Sequence, residues 1–561
     1  MRLDVDRPWL AAYPDGVPAD VPEPDASLPE LLARAVVTFA DRPALDFLGA
    51  GTTYRQLGEA VDRAAGLLHR LGVRAGDRVA LVLPNCPQHV VAFHAVLRLG
   101  AVVVEHNPLY TADELGVQLA DHGAQVAVCW SSVAATVAGL GVPTVLSVDL
   151  ATALPATRRL ALRLPLKAAR AARAQLGPAA VPGTLDWDRQ VASSAPLPAD
   201  VPLPTVGDVA LLQYTGGTTG TPKGAMLTHA NLVANATQGR AWLPGLREGH
   251  ETVLAVLPMF HAYGLTLCLT FSLVIGARMA LLPRFDVDQA VAVMRRVPPT
   301  FLPGVPPIYS RLAEQARAGR LDLTSVRYAL SGAMALPPDL VTEWEELSGG
   351  LLIEGYGLSE ASPIVLGNPV STDRRPGTVG VPFPSTRMRV VDPEHPDVDV
   401  PAGSPGELLV AGPQIFSGYW NRPEETAQAL LPGGWLRTGD VVVVEPGGFV
   451  RIVDRIKELV VTGGFNVYPT EVEEVLRRRP EIADVAVVGL PDPDRGEAVV
   501  AAVVLAPDAV LDVAAVRAFA REHLAGYKVP VRVLEVDDLP RSTIGKVLRR
   551  SLRDSLRDRE G

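Results

Sequence analysis

The sequence predicts an α/β protein that ends in a compact α+β unit. Two observations carry this. Through the first quarter of the chain, helix-start signals alternate with short apolar runs, the pattern of a parallel sheet covered by helices. Further on, the run YTGGTTGTPKG at 214–224 follows a strand-like stretch at 211–214 and precedes a helix start at Thr228-His229-Ala230-Asn231-Leu232, so the run is expected to join strand to helix. At about 150 residues per domain, a chain of 561 residues makes several structural units.

Capping boxes open the early helices: Ser27 with Glu30, Thr53 with Gln56, and Thr111 with Glu114. Apolar residues then recur at helical spacing, as in Leu32, Val36 and Phe39, or Leu57, Val61, Ala64 and Leu68. Strands are expected at 79–83, 101–104 and 126–129, with a helix over 85–100 closed by Gly100. His89, His94, His106 and His122 lack metal-ligand spacing and are expected as packing or surface residues. The stretch 265–277 is apolar but stops at Arg278, short of the roughly 20 residues a membrane span needs, and reads as a buried helix. Towards the end, Thr470 with Glu473 is expected to cap a helix, 483–490 and 498–505 read as strands, and 513–524 as a helix.

Residues 150–185 differ from their surroundings. Arg158, Arg159, Arg163, Lys167, Arg170 and Arg173 occur there with no acidic residue between Leu150 and Leu185. From Arg159 onward the cations recur at helical spacing, among leucines and alanines, and Pro165 is expected to kink the helix. Such a basic amphipathic stretch, 154–176, either lies on an anionic membrane surface or is a solvated arm packed on its domain. Residues 176–207, rich in Pro, Ala and Ser, are expected to form a connecting loop.

A 48% hydrophobic and 20% charged composition is that of a globular protein with a sizeable core. The net charge of −10 opposes any nucleic-acid partner held by a general positive field. Cys86, Cys129 and Cys268 lie far apart, as buried apolar residues in a reducing compartment would. The start MRLDVDRPWLAAYPDG has acidic residues and no apolar core, unlike a signal peptide, so a cytoplasmic location is expected.

The chemistry centres on 214–224. Gly216, Gly217, Gly220 and Gly224 let backbone N–H groups crowd onto an anion without a Cβ in the way. Thr215, Thr218, Thr219 and Thr221 add hydroxyl donors, and Lys223 adds a compact positive charge. This is a composition for gripping phosphates. It is not the P-loop of nucleotide hydrolases, because Pro222 precedes the lysine and Gly224 follows it.

The run resembles the signature of the adenylate-forming (AMP-binding) superfamily of acyl-CoA synthetases, luciferases and peptide-synthetase adenylation domains. The resemblance extends from about residue 28 to 550, with further motifs in order: PMFHAYG at 258–264, SGA at 331–333, GYGLSEASP at 355–363, GYWNRPE at 418–424, GWLRTGD at 434–440, GFVRIVDRIKE at 448–458, TGGFNVYP at 462–469 and LPRSTIGKVLRR at 539–550. The wording is most like bacterial long-chain fatty acid–CoA ligases. Where most relatives carry Thr, this chain has Ser359, which keeps the hydroxyl.

The resemblance implies a large N-terminal AMP-binding domain (1–453) of several α/β subdomains, a hinge (454–458) with Lys457 at the pivot, and a mobile C-terminal domain (459–561) carrying Lys546. It implies that Thr215, Gly216, Gly217, Thr218, Thr219, Gly220, Gly332, Ala333, Gly355, Tyr356, Gly357, Ser359, Asp440 and Arg455 bind ATP or AMP. Within this set Tyr356 stacks on adenine, Asp440 accepts from the ribose hydroxyls and Arg455 reaches the ribose. Glu360, with Thr215, would hold Mg²⁺, and Lys223, Glu360 and Lys546 would be catalytic. Phe260 and His261 would line or gate the acyl pocket, while Gly463 and Gly464 would lie along the coenzyme A path. Amino-acid-activating relatives carry Phe-Asp where this chain has Phe260-His261, which argues against an amino acid substrate.

The expected activity is ATP-dependent conversion of a medium- or long-chain fatty acid to its adenylate and then to acyl-CoA. An aryl or other carboxylic acid–CoA ligase, a fatty acyl-AMP ligase loading a separate carrier protein, and a non-catalytic nucleotide-binding regulator stay open as alternatives. ATP, Mg²⁺ and coenzyme A are the implied cofactors and co-substrates. The expected partners are the fatty acid, no nucleic acid, a peripheral membrane surface through 154–176 and, as an option, a second copy in a homodimer.

Overall fold

The parallel sheet implied by the first quarter forms, and it is the platform that carries the Gly/Thr run. The computed structural model describes residues 3–177, 180–215, 222–462, 465–492, 495–542 and 545–558. A seven-stranded sheet runs, in spatial order, Leu185–Asp186, Thr144–Val148, Val126–Trp130, Arg78–Val82, Val102–Glu105, Val209–Thr215 and Lys223–Thr228. All its pairings are parallel except the last. Helices between successive strands cover its faces, as right-handed crossovers require. The expected capping boxes at Ser27, Thr53 and Thr111 are all made, because each depends only on residues within one turn.

A nine-stranded sheet packs beside it through one continuous apolar core, and its central strands Thr252–Ala255, Phe301–Gly304, Tyr328–Ser331 and Leu351–Gly357 are parallel. A third sheet, antiparallel, holds Arg387–Val391, Gly406–Ala411, Trp435–Val444 and Val450–Arg455. The last sheet, built from Val460–Thr462, Phe465–Val467, Ile482–Asp492, Gly496–Leu505 and Arg532–Glu535, has cores of its own drawn wholly from the C-terminal part of the chain. The α/β class and the small α+β end are therefore as the sequence indicates.

Four local expectations change. The Gly/Thr run joins strand to strand rather than strand to helix. Lys223–Thr228 turns back antiparallel to Val209–Thr215, with Thr215 opposite Lys223, and the helix His229–Trp242 starts only after it on the cap of Thr228. Residues 176–207 are not all loop, since Asp186 caps a short helix, Trp187–Ser193, that buries Trp187. The pair Thr470 and Glu473 does not cap. Instead Asp454 accepts the Thr470 N–H at 2.8 Å, and Glu473 is buried against Arg549 at 2.8 Å and the Val487 N–H at 2.8 Å. Finally, 265–277 is buried as expected, but its first part, Leu265–Thr270, is wound as a π-helix.

The histidines His89, His94, His106 and His122 are all buried, as packing residues. The basic stretch forms two short helices, Ala156–Ala161 and Lys167–Gln175, broken around Pro165. No described helix is long and apolar enough to cross a membrane.

Candidate active site

The strand Val209–Thr215 is fixed at its exit. Tyr214 donates its hydroxyl to Asp121 at 2.6 Å, and burial with the Asp121 carboxylate holds the phenol far above its usual range, so it stays a donor. Gly216, Gly217, Thr218, Thr219, Gly220 and Thr221 lie outside the described residues. At the near edge the Thr215 hydroxyl sits 3.5 Å from the Lys223 carbonyl.

The returning strand is clamped by the segment 416–420. Met226 N–H donates to the Gly418 carbonyl at 2.9 Å and Trp420 N–H to the Gly224 carbonyl at 2.8 Å. The same segment reaches the turn Ser359–Ala361, where Phe416 N–H donates to the Glu360 carbonyl at 2.8 Å and the Tyr419 hydroxyl donates to Glu360 Oε1 at 2.7 Å. Lys223 Nζ lies 5.3 Å from the centre of the Tyr419 ring. The expected phosphate lysine and the expected metal carboxylate are thus brought onto one side chain that sequence reading left without a role. Glu360 Oε2 keeps its acceptor capacity, and a hard oxygen donor suits Mg²⁺, which needs only one or two protein carboxylates when phosphates supply the rest. No cluster of three or more His, Cys, Asp or Glu side chains able to hold a metal occurs among the described residues.

A second cluster joins residues of three different motifs, two on paired strands of the antiparallel sheet and one on a strand of the nine-stranded sheet. The Tyr356 hydroxyl donates to Asp440 Oδ2 at 2.5 Å, and Arg455 Nε sits 2.9 Å from Asp440 Oδ1. Asp440 and Arg455 are directly opposite in the antiparallel pairing of their strands. A carboxylate accepts about four hydrogen bonds, so Asp440, which is 3% exposed, has capacity left for a pair of vicinal hydroxyls. Asp440 is the main cause of the raised Arg455 pKa, against the opposing effect of burial.

From the small domain, Lys546 faces this cluster. Burial above all, then repulsion from Arg455, pushes its ammonium down to about 8, against the pull of Glu458 and Asp440 and with added repulsion from Arg549. Lys457 is also held below the usual lysine range, by burial and by Lys223, with Glu360 opposing. Gly463 and Gly464 lie outside the described residues.

The segment at Gly332 and Ala333 makes a close approach. A Cβ on Gly332 would meet the Tyr263 ring at 3.0 Å, and Ala333 holds φ at +65°, a left-handed conformation uncommon for a residue with a side chain. Gly355 and Gly357 flank Tyr356 on the strand Leu351–Gly357, and Ser359 begins the turn that carries Glu360.

Beneath these motifs lies a narrow apolar cavity, lined by residues including Gly239, Trp242, Phe271, Leu330, Ile353 and Phe383. Leu330 comes just before the Ser331-Gly332 turn and Ile353 just before Gly355-Tyr356, so the cavity abuts the strand ends that carry those motifs. Phe260 and His261 are not among the lining residues. The His261 ring is pushed down to about 4 by burial, so it is neutral, and its Nδ1 accepts the Tyr263 N–H at 3.3 Å. Gln213 donates to the Phe260 carbonyl at 3.1 Å, tying this segment to the strand that leads into the Gly/Thr run. Gly239, a glycine inside the helix His229–Trp242, lies on the cavity wall.

A large α/β body, a small α+β body and a Tyr–Asp–Arg–Lys cluster where they meet define a two-domain nucleotide-dependent enzyme. A family model for AMP-binding enzyme matches residues 32–420, and another for the AMP-binding enzyme C-terminal domain matches residues 471–546. The chain belongs to the AMP-binding enzyme family. It is 40% identical over 562 residues to the long-chain-fatty-acid–CoA ligase of Bacillus subtilis (strain 168), with 97% of each chain covered. Among solved structures it resembles ATP-bound MatB from Rhodopseudomonas palustris with a TM-score of 0.81 at 32% identity, covering 95% of this chain and 99% of that one. Against apo MatB from the same organism the TM-score is 0.70, at the same identity and coverage.

Proposed function

We propose that this protein activates a medium- or long-chain fatty acid with ATP to the acyl-adenylate and transfers the acyl group to coenzyme A, releasing pyrophosphate and then AMP. The observation that carries the reading is the convergence of Lys546, Arg455 and Asp440 beside an apolar cavity set under the Gly332 and Tyr356 motifs. The long-chain fatty acid–CoA ligase named above, matched along 97% of its length, supports a free coenzyme A acceptor over a carrier-protein one.

In this reading Tyr356 and the backbone at Gly332–Ala333 hold adenine, and Asp440 holds the ribose, aided by Arg455. The Gly/Thr run, Thr215 and Lys223 cradle the polyphosphate. Glu360 would hold Mg²⁺, which neutralises charge on the phosphates. The fatty acid carboxylate is already ionised at neutral pH, so its attack on the α-phosphorus needs no general base. It needs positive potential where charge gathers, and Lys546 supplies it from the small domain. Thioester formation then requires Lys546 to withdraw so that the thiol can reach the carbonyl, and rotation at Lys457 with Gly463 and Gly464 along the pantetheine path meets that need. The higher TM-score to the ATP-bound form supports the adenylate-forming arrangement for this conformation.

Free-thiol consumption with ATP, Mg²⁺, coenzyme A and acids of graded length and aromaticity tests the reading. Consumption is expected to peak with medium or long aliphatic acids, and a peak with aryl acids would overturn it. Gly239→Leu is expected to move the optimum to shorter chains without changing the KM for ATP. The glycine sits on the cavity wall, and its added side chain would grow towards Phe271, 3.4 Å from the new Cβ.

The basic arm supports a peripheral contact with an anionic lipid surface. Arg158, Arg159, Arg163 and Lys167 have no ion-pair partner among the described residues. Leu160, Leu164 and Leu166 beside them are 66%, 49% and 58% exposed. The arm is tethered by the Arg173–Asp149 pair at 2.7 Å and by Trp130 Nε1 donating to the Leu176 carbonyl at 2.9 Å. Cations interleaved with exposed leucines suit a headgroup–acyl boundary, with roughly 1 kcal/mol per basic residue near an anionic surface. Reversal of Arg158, Arg159 and Arg163 to Glu is expected to abolish co-pelleting with phosphatidylglycerol vesicles and leave thiol consumption on a soluble acid intact; unchanged pelleting would refute the contact.

A further inference from the structure

We propose that Tyr419 is a positioning residue that sets the aim of Glu360 towards the metal–polyphosphate and fixes Lys223 beside it. The proposal rests on the reading of Glu360 as the metal carboxylate.

The geometry isolates what the tyrosine does. Its hydroxyl donates to one carboxylate oxygen, Glu360 Oε1, at 2.7 Å, and leaves the other as an acceptor, while Lys223 lies against the same ring. Its ring face lies under Lys223 Nζ at 5.3 Å, close enough for cation–π attraction. One side chain thereby couples groups from two separate motifs, Lys223 on the returning strand and Glu360 on the turn Ser359–Ala361.

The tyrosine is itself held on every side. Its N–H donates to Thr426 Oγ1 at 2.9 Å, its ring meets Phe416 edge to face at 4.9 Å between centres, and its backbone bridges to Ala225. Little rotamer freedom remains for it to lose when a ligand binds. A freely rotating glutamate would pay ordering entropy each time it met the metal, and this hydrogen bond removes that cost beforehand.

Titration calorimetry of ATP in the absence of any fatty acid, at stepped Mg²⁺, reads this without turnover. Tyr419→Phe keeps the ring and deletes only the donor. It is expected to raise the Mg²⁺ concentration for half-maximal ATP affinity by about tenfold, the size of one hydrogen bond to a charged group, while affinity at saturating Mg²⁺ stays as in the wild type. Tyr419→Leu, which also removes the ring from Lys223, is expected to weaken ATP at every Mg²⁺ concentration. Should Tyr419→Phe show wild-type Mg²⁺ dependence while Glu360→Gln shifts it, the positioning role is overturned. An equal loss of ATP affinity at all Mg²⁺ concentrations in Tyr419→Phe would also overturn it, because that is what a purely structural tyrosine would do. If Glu360→Gln itself leaves the Mg²⁺ dependence unchanged, the underlying assignment of Glu360 falls instead.

Discussion

Replacing Lys546 with alanine is expected to cut adenylate formation by at least about a thousandfold, the upper range for loss of one preorganised charge at a developing anion, and to leave thioester formation from supplied acyl-adenylate near the wild-type rate. Pyrophosphate–ATP exchange reads the first step, and thiol consumption from synthetic acyl-adenylate reads the second. Equal loss of both in a folded variant would refute the division of labour. The charge on Lys546 also sets a pH signature. Burial, Arg455 and Arg549 push its pKa down to about 8, with Glu458 and Asp440 opposing. The protonated form is the useful one, so kcat/KM for adenylation is expected to be full below about 8 and to fall as pH rises through it. Bound polyphosphate stabilises the cation, so kcat should fall only at higher pH. Lys546→Arg, permanently charged, is expected to lose the alkaline fall while reacting more slowly, because a planar guanidinium does not fit a point-charge site.

Asp440→Ala is expected to raise the Kd for ATP by about a hundredfold or more, since two hydrogen bonds to a charged acceptor are worth about 1.5–3 kcal/mol each. The competing view is that Asp440 serves stability, holding Tyr356 and Arg455. Magnitudes separate the two. Removing a partner from a fully buried ion pair costs about 3–5 kcal/mol, but the Arg455 side chain is 41% exposed and solvent screens most of that cost. What remains is the buried Tyr356 hydroxyl without an acceptor, about 1–3 kcal/mol. A fall of a few degrees in Tm with a large rise in Kd is the expected result. A large drop in Tm with ATP affinity preserved would make Asp440 a structural residue.

Much of the fold could be read from local pattern. Helix caps at Ser27, Thr53, Thr111 and Thr228 form because donor and acceptor lie within one turn, so no distant residue is needed to decide them. The buried strands at Arg78–Val82, Val102–Glu105 and Val126–Trp130 follow from continuous apolar runs. Local pattern misled where a distant partner competed. Lys223–Thr228 became a strand because Val209–Thr215 on one side and 417–420 on the other offered hydrogen bonds, so a strand comes between the Gly/Thr run and the helix that opens, as expected, at Thr228. Glu473, free in sequence to complete a capping box, was taken by Arg549 and by the backbone of Val487.

The order and wording of the motifs determined, from sequence alone, the family and the residue types expected to meet a nucleotide. Only the tertiary structure decided how those residues are joined, Tyr356 to Asp440, Asp440 to Arg455 and Tyr419 to Glu360, and that Gly239 and Trp242 wall a cavity. The reason is physical. Residue type and short-range spacing are carried by the chain itself, whereas a contact between residues far apart in sequence exists only once packing has brought their strands into register.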